Sequence, residues 1–230
     1  MVSENIAKVR LRIASACART GRDPGRVRIV AVSKYRSLRE VKEAVESGIC
    51  DIAENRLQEA RLKHAPLSRD FGNIRWHMVG HLQTNKAKQA VEIFDFIHSV
   101  DSIRLAQEIE IQASKIDKTQ KVLVQVNISG EKTKSGFTPQ DVKEAIRIIA
   151  GLKHLAVKGL MTIAPIVQRP EQARPYFHLL RELLDGINAQ RTTHNAMCEL
   201  SMGMSDDFEV AVEEGATMLR IGRAIFEGQG

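Results

Sequence analysis

From Arg28 onward the chain alternates short, nearly unbroken apolar runs with longer amphipathic stretches. The runs are 28–34 (RIVAVSK), 51–55 (DIAEN), 75–80 (RWHMVG), 96–100 (FIHSV), 121–128 (KVLVQVNI), 156–164 (AVKGLMTIA), 196–203 (AMCELSMG) and 217–222 (TMLRIG), eight in all. Each has strand length and strand patterning. The stretches between them carry helix punctuation. Ser37 with Glu40 makes a capping box for a helix ending near Gly48, and Thr138 followed by Pro139 starts one ending near Gly151. Asp206 with Glu209 opens another that stops at Gly215. Within 138–150, Val142, Ala145, Ile146 and Ile149 share one apolar face, as a helix lying on a sheet requires. An additional helix over roughly 3–20 precedes the first strand.

Continuous apolar runs alternating with amphipathic helices imply parallel strands buried on both faces. Eight such units predict a closed (β/α)8 TIM barrel with an extra N-terminal helix, occupying residues 1–230 as one domain. A doubly wound open sheet is the rival. It usually places a glycine-rich nucleotide fingerprint after its first strand, whereas here that turn reads Ser33-Lys34-Tyr35-Arg36-Ser37. No internal repeat, low-complexity stretch or linker marks a boundary.

Composition is consistent with this reading. The chain has 230 residues, 43% of them apolar and 27% charged, enough to bury a full core. Its three cysteines, Cys17, Cys50 and Cys198, are widely spaced and form no Cys-x-x-Cys pattern, which argues against a disulfide framework or zinc ribbon and for a reduced, cytoplasmic setting. The first twenty residues are charged throughout with no apolar signal core, and no run approaches the roughly eighteen apolar residues of a membrane span. The net charge of +6 raises nucleic acid as a partner, but Lys and Arg are interspersed with Asp and Glu, and aromatics are only 4% of the chain. A mixed, solvated surface and a small anionic ligand account for the charge.

In a barrel the C-terminal strand ends form the active face, so the candidates follow from the strand assignments. They are Lys34, Asn55, His77 with Gly80, Ser99, Asn127, Met161, Ser201 with Gly203, and Gly222 with Arg223. The set is small and polar, with one amine, and an amine held at the rim of a cavity can act as a nucleophile. Loops after the seventh and eighth strands of such barrels frequently hold a phosphate; here they supply Ser201, Gly203, Ser205, Gly222 and Arg223. Closure sets the first strand beside the last, so Lys34 neighbours that cradle. The ligand implied is an aldehyde-bearing phosphate ester, pyridoxal 5′-phosphate, held as a Schiff base on Lys34. Arg220, two residues before Gly222, points to the barrel interior and would face the pyridine nitrogen. An arginine keeps its proton, so the nitrogen beside it stays unprotonated and the ring is a poor electron sink.

The segments AVSKYRS (31–37), AENRLQEA (53–60), WHMVGHLQTNKAK (76–88), VNISGEKTKSGF (126–137), GLMTIAP (159–165) and ELSMGMSDDFEVAVEEGATMLRIGRAIFEG (199–228) closely resemble the pyridoxal phosphate homeostasis protein family, whose members look like the barrel domain of alanine racemase standing alone. The resemblance covers nearly the whole chain in order. It implies that Lys34 is the Schiff-base lysine, that Arg220 faces the pyridine nitrogen, that Ser201, Gly222 and Arg223 handle the phosphate, and that Asn55 lines the ring. Ala53 departs from the glycine usual before the Glu-Asn pair and is expected to narrow the space beside the ring.

The function implied is that of a carrier and regulator of pyridoxal phosphate, a vitamin B6 cofactor, with no catalytic residues of its own. Its expected setting is that of a cytoplasmic monomer touching apo-enzymes only transiently. The rival is a pyridoxal-phosphate-dependent amino-acid racemase with Lys34 as its base. Alanine racemase draws a second base, a tyrosine, from another domain and subunit. Here the chain ends eight residues after Gly222, and neither Tyr35 nor Tyr176 is expected to supply that base. A flavin or sugar-phosphate barrel enzyme is a third reading and predicts no covalent amine link.

Other features have plainer readings. His77 and His81 are spaced as HxxxH, but the run passes from strand to loop and position 78 is methionine, so a structural role is expected and no metal. Asn127 and Met161 are read as filling the barrel mouth, and Asp206 as a helix cap. Lys134, in the loop KTKSG, lies on the active face and is expected to assist cofactor transfer.

Overall fold

In a computed structural model of the chain, residues 1–131, 133–190 and 196–227 are described. Lys132 and Gly228, which belong to two of the quoted segments, lie outside them. The element order is α1 (Val2–Thr20), β1 (Arg28–Val32), α2 (Leu38–Glu46), β2 (Asp51–Glu54), α3 (Leu57–Asp70), β3 (Arg75–Met78), α4 (Ala87–Ile93), β4 (Phe96–Val100), α5 (Ile103–Ser114), β5 (Gln120–Gln125), α6 (Val142–Ala150), β6 (Leu155–Met161), α7 (Arg174–Ala189), β7 (Glu199–Ser201), α8 (Phe208–Glu213), β8 (Met218–Ile221) and α9 (Arg223–Phe226). The strands pair in parallel in sequence order and close into a barrel, β8 against β1, so the (β/α)8 prediction holds. The predicted N-terminal helix is α1, which buries Val2, Ile6, Val9, Ile13 and Ala16 along one stripe against α8 and α9. It stops at Gly21, whose φ of 66° suits a residue without a Cβ.

Alternation along each strand sorts side chains into two layers. The outer layer, between strands and helices, includes Trp76, Phe94, Phe177 and Phe208. The apolar inner layer is Val30, Val32, Ala53, Val79, Phe96, Leu123, Met161 and Met218. Between these inner residues lie buried polar ones: Asp51, His77, His98, Ser201 and Arg220.

The strands are shorter than the apolar runs predict. β1 ends at Val32, so Lys34 stands in a turn beyond it, and Asn55, Asn127 and Gly203 also lie past their strands. At the mouth of a barrel the strands splay and lose ladder partners, and apolar patterning continues into loops that face the cavity. The predicted capping box on α2 is present: the Ser37 hydroxyl accepts from the Glu40 amide, and a Glu40 carboxylate oxygen accepts from the Ser37 amide. Thr138 caps a preceding turn, its hydroxyl accepting from the Asp141 amide at 3.2 Å, and α6 begins only at Val142. The expected cap at Asp206 is corrected. Asp207 is the N-cap of α8, and its carboxylate accepts from the Met204 amide at 2.6 Å, while Asp206 pairs with Arg223.

One close approach is essential to the sheet. A Cβ on Gly159 of β6 would lie 1.8 Å from the Glu199 carbonyl oxygen of β7. Gly159→Ala is therefore expected to lower stability by more than about 3 kcal/mol in denaturant unfolding. A loss below about 1 kcal/mol would contradict this packing of β6 on β7.

Candidate functional site

A cavity of about 660 Å³ opens at the C-terminal ends of the strands. Lys34, Asn55, Arg220, Gly222 and Arg223, five of the predicted residues, line it together. Tyr35, Asn127, Lys134, Ser205 and Asp206 also face it.

Lys34 is exposed to the cavity, and the backbone on either side of it is held from below. Ser33 is fully buried; its amide donates to the Ala53 carbonyl at 2.9 Å and its hydroxyl to Glu54 Oε1 at 2.6 Å. Lys63 of α3 reaches in, donating to Glu54 Oε1 at 2.6 Å and to the Ser33 carbonyl at 2.7 Å. On the other side the Tyr35 amide donates to Glu59 Oε2 at 2.8 Å. This grip holds Tyr35 at a φ of 62°, a conformation an L-residue adopts only under constraint. Burial pushes the Glu54 carboxyl above its usual range, and the Lys63 ammonium opposes that rise. Lys63 and Glu59 carry no signal of this role in the sequence, because charged residues on an amphipathic helix read as solvated.

Arg220 is only 5% exposed. Its Nη1 donates to Ser201 Oγ at 2.7 Å and its Nη2 to the Thr162 carbonyl at 2.8 Å. Burial pulls the guanidinium down to about 10, with Asp207 nearby working against the drop, so it remains protonated near neutral pH.

Ser201 is placed differently from the expectation. It does not line the cavity: it is fully buried below the floor, with its oxygen bonded to Arg220 and, at 2.9 Å, to His98 Nδ1. Gly203 also faces away. With φ at 89°, a Cβ there would lie 2.5 Å from the Ala211 Cβ, so this glycine lets the chain pack on α8. Ser205 takes the rim position instead, its hydroxyl accepting from the Ala224 amide at 3.2 Å and tying the β7 loop to the start of α9. Gly222 is the N-cap of α9 and Arg223 its first residue, so amides of a helix start lie at the cavity edge. Ala53 is fully buried in the inner layer and is not among the residues that line the cavity. Asn55 is held by Gly80, where a Cβ would lie 2.2 Å from the Asn55 carbonyl oxygen.

The two histidines of the HxxxH spacing part company. His77 is fully buried between Asp51 at 2.8 Å and His98 at 2.9 Å, while His81 sits at the rim with Asp101 at 3.0 Å. Among the described residues, no group of three or more His, Cys, Asp or Glu is placed to hold a metal. Asn127 does more than fill the mouth. Its amide donates to the carbonyls of Glu131 and Lys134 at 2.9 and 3.1 Å, which shapes the loop carrying Lys134. Lys134 faces the same cavity as Lys34 and pairs with Glu131 at 2.7 Å. Of the two tyrosines weighed as a second base, Tyr35 lines the cavity beside Lys34 and Tyr176 does not.

Residues 5–229 match the family model described as alanine racemase, N-terminal domain. The pyridoxal phosphate homeostasis protein of Aquifex aeolicus is 43% identical over 223 residues, covering 97% of this chain and 96% of its own length. That of Pseudomonas aeruginosa is 42% identical, covering 98% of this chain and 94% of its own length. The chain belongs to the pyridoxal phosphate homeostasis protein family. A solved structure of PipY from Synechococcus elongatus with PLP bound is similar at a TM-score of 0.85 and 33% identity, covering 98% of this chain and all of PipY. A D-threonine aldolase at 15% identity, with a TM-score of 0.76, shares the fold alone.

Two outcomes follow for this homeostasis-family barrel. Burial holds His77 and His98 below the ordinary histidine range; for His98 the neighbouring His77 and Arg220 add to the effect, while the Asp51 carboxylate partly offsets it at His77. Between the lowered folded values and the ordinary value near about 6.5, the unfolded chain holds more protons, so stability rises with pH through that window. Acidification from about pH 7 toward about pH 5 is thus expected to destabilise the fold by up to about 1.4 kcal/mol per pH unit per histidine. A flat denaturation midpoint across that range would contradict it, and His98→Gln should reduce the slope. Lys63→Met, which strands Glu54, is expected to lose about 3 kcal/mol or more in denaturant unfolding, and an unchanged midpoint would mean that the buried pair is dispensable.

Proposed function

We propose that this protein binds pyridoxal 5′-phosphate reversibly, with Lys34 as covalent anchor, and serves intracellular cofactor homeostasis as a carrier with no strong catalytic activity of its own. The observation that carries this reading is the convergence of the Lys34 amine, the buried Arg220 guanidinium and the Gly222-Arg223 helix start on one cavity. The names of the homeostasis-family relatives and the bound PLP of PipY support it.

The donor set fits the group. An amine suits its aldehyde, and amides at a helix start with the Arg223 cation suit its phosphate. A Cβ on Gly222 would approach the Val32 carbonyl oxygen to 3.2 Å, so a larger residue there would crowd the cradle. Asn55 would flank the ring and Arg220 would face its nitrogen. When bound, pyridoxal phosphate supplies an aldehyde that combines reversibly with amines, and a ring that accepts electrons well only when its nitrogen is protonated. Arg220 stays charged at neutral pH and has N–H groups beyond the two it gives to Ser201 and Thr162, so it could donate to that nitrogen without surrendering a proton. Such an arrangement would keep binding and restrain carbanion chemistry.

The protein in this reading is one cytoplasmic barrel domain, residues 1–230, working as a monomer that meets apo-enzymes transiently and binds neither nucleic acid nor membrane. No described helix is long and apolar enough to cross a membrane. The alternative, an amino-acid racemase, draws support from Tyr35, a phenol in the cavity beside Lys34.

Purified protein loaded with pyridoxal phosphate is expected to show a visible absorption band that borohydride bleaches, leaving a pyridoxyl mass on Lys34; Lys34→Ala should be colourless. A colourless wild type that takes up no added cofactor would overturn the proposal. Incubation with L- and D-amino acids in deuterated water is expected to give no useful turnover, and sustained deuterium incorporation at Cα would favour the racemase. Lys134→Ala is expected to slow cofactor loading and release, and unchanged rates would remove Lys134 from transfer.

A further inference from the structure

The polar residues in the barrel interior form one continuous chain. Arg75 Nε and Nη2 donate to Asp51 at 2.8 and 2.6 Å. Asp51 Oδ1 meets His77 Nε2 at 2.8 Å, His77 Nδ1 meets His98 Nε2 at 2.9 Å, and His98 Nδ1 meets Ser201 Oγ at 2.9 Å. Arg220 Nη1 closes the series on the same Ser201 oxygen at 2.7 Å. The chain runs from the N-terminal strand ends, where Asp51 and Arg75 begin β2 and β3, to a guanidinium on the cavity wall.

Counting hydrogens from either end gives the same direction. Asp51 only accepts, because the Arg75 and His77 bonds hold its carboxyl well below the usual range against the effect of burial. His77 therefore carries its proton on Nε2. Burial keeps both imidazoles neutral, so His77 Nδ1 must accept, His98 must donate from Nε2, and His98 Nδ1 must accept from the Ser201 hydroxyl. From the other end, Arg220 can only donate, which occupies the Ser201 oxygen and leaves its proton for His98. No other assignment with both rings neutral satisfies every link.

Barrel interiors are usually filled by branched aliphatic side chains, and a buried polar group is tolerated only when paired. A run of polar residues in that place, ending on a cavity residue, calls for a reason other than packing. We infer that Ser201, His98, His77 and Asp51 are positioning residues for Arg220: a one-way hydrogen-bond chain that fixes how the guanidinium presents its remaining donors to the cofactor ring. This rests on the cavity being the pyridoxal phosphate site proposed above. It also gives Ser201 a task that its buried position permits, in place of the phosphate contact that the resemblance implies.

The test has two parts. Nitrogen NMR of the ligand-free protein with isotopically labelled histidine is expected to show His77 and His98 as neutral Nε2–H tautomers at neutral pH. An Nδ1–H tautomer or an imidazolium at either would overturn the chain. Ser201→Ala is then expected to weaken pyridoxal phosphate binding by about tenfold, the scale of one hydrogen bond to a charged group, and to shift the pyridine nitrogen resonance of labelled cofactor. Borohydride should still fix the pyridoxyl group on Lys34 in that variant. Wild-type affinity with an unshifted nitrogen in Ser201→Ala would overturn the inference and leave the cavity reading standing. A wild type that binds no pyridoxal phosphate would overturn both.

Discussion

The pairing of β1 with β8 is the constraint on which everything at the cavity depends. Its register sets Val30 opposite Arg220 and Ala31 opposite Ile221, so the turn after β1 and the turn after β8 emerge side by side. Lys34 and Gly222, far apart in sequence, thereby share one wall. The adjoining seam is thinner: β7 and β8 share the single register pair Ser201 with Met218. Thr217 reinforces it, its amide donating to the Leu200 carbonyl at 3.0 Å and its hydroxyl accepting from the Leu200 amide at 2.9 Å. At the opposite end of the barrel Arg28 of β1 pairs with Glu199 of β7, bridging the two strands that flank β8. The short final strands are thus held by side chains where backbone ladders are few.

Buried charge recurs around that frame, and it gives geometry more than stability. The Glu54–Lys63 pair and the Arg220 guanidinium would each be costly to strand, and replacing such groups with well-packed apolar ones often leaves stability unchanged or higher. Their consequence is orientation. One network grips the backbone on both sides of Lys34, and the other reaches Arg220 through the core. The Lys34 amine and the Arg220 guanidinium, the proposed anchor and the proposed partner of the ring, are therefore each set by buried partners, while the proposed phosphate end is formed by a loop and a helix start at the rim. A carrier must bind selectively without activating its ligand, and the proposed function asks this division of labour to serve both needs.

Much of this was legible in the residues. Eight apolar runs with helical spacing between them are a long periodic signal, and the barrel follows from it; the rule that barrel sites lie at C-terminal strand ends then delivers Lys34, Asn55, Gly222 and Arg223. Arg220 was legible from its parity with Gly222. The apolar runs extend past the strand ends, because residues such as Ser33 and Val126 remain buried beyond β1 and β5. Ser201 differs from its expected place for a related reason: its strand end lies below the rim, a depth that no spacing encodes. Lys63, His98 and the reach of Asn127 into the Lys134 loop depend on tertiary contacts between distant elements, and only the fold reveals them. Lys134 was found through its motif, although its partner Glu131 gave no separate signal.

The most direct measurement of the central claim is a crystal structure of this protein grown with pyridoxal phosphate. The account predicts continuous density from Lys34 Nζ into the cofactor, the ring nitrogen within hydrogen-bond distance of Arg220, and the phosphate beside Gly222 and Arg223. Cofactor bound elsewhere, or seated in the cavity with its phosphate toward Arg220 and no link to Lys34, would contradict it.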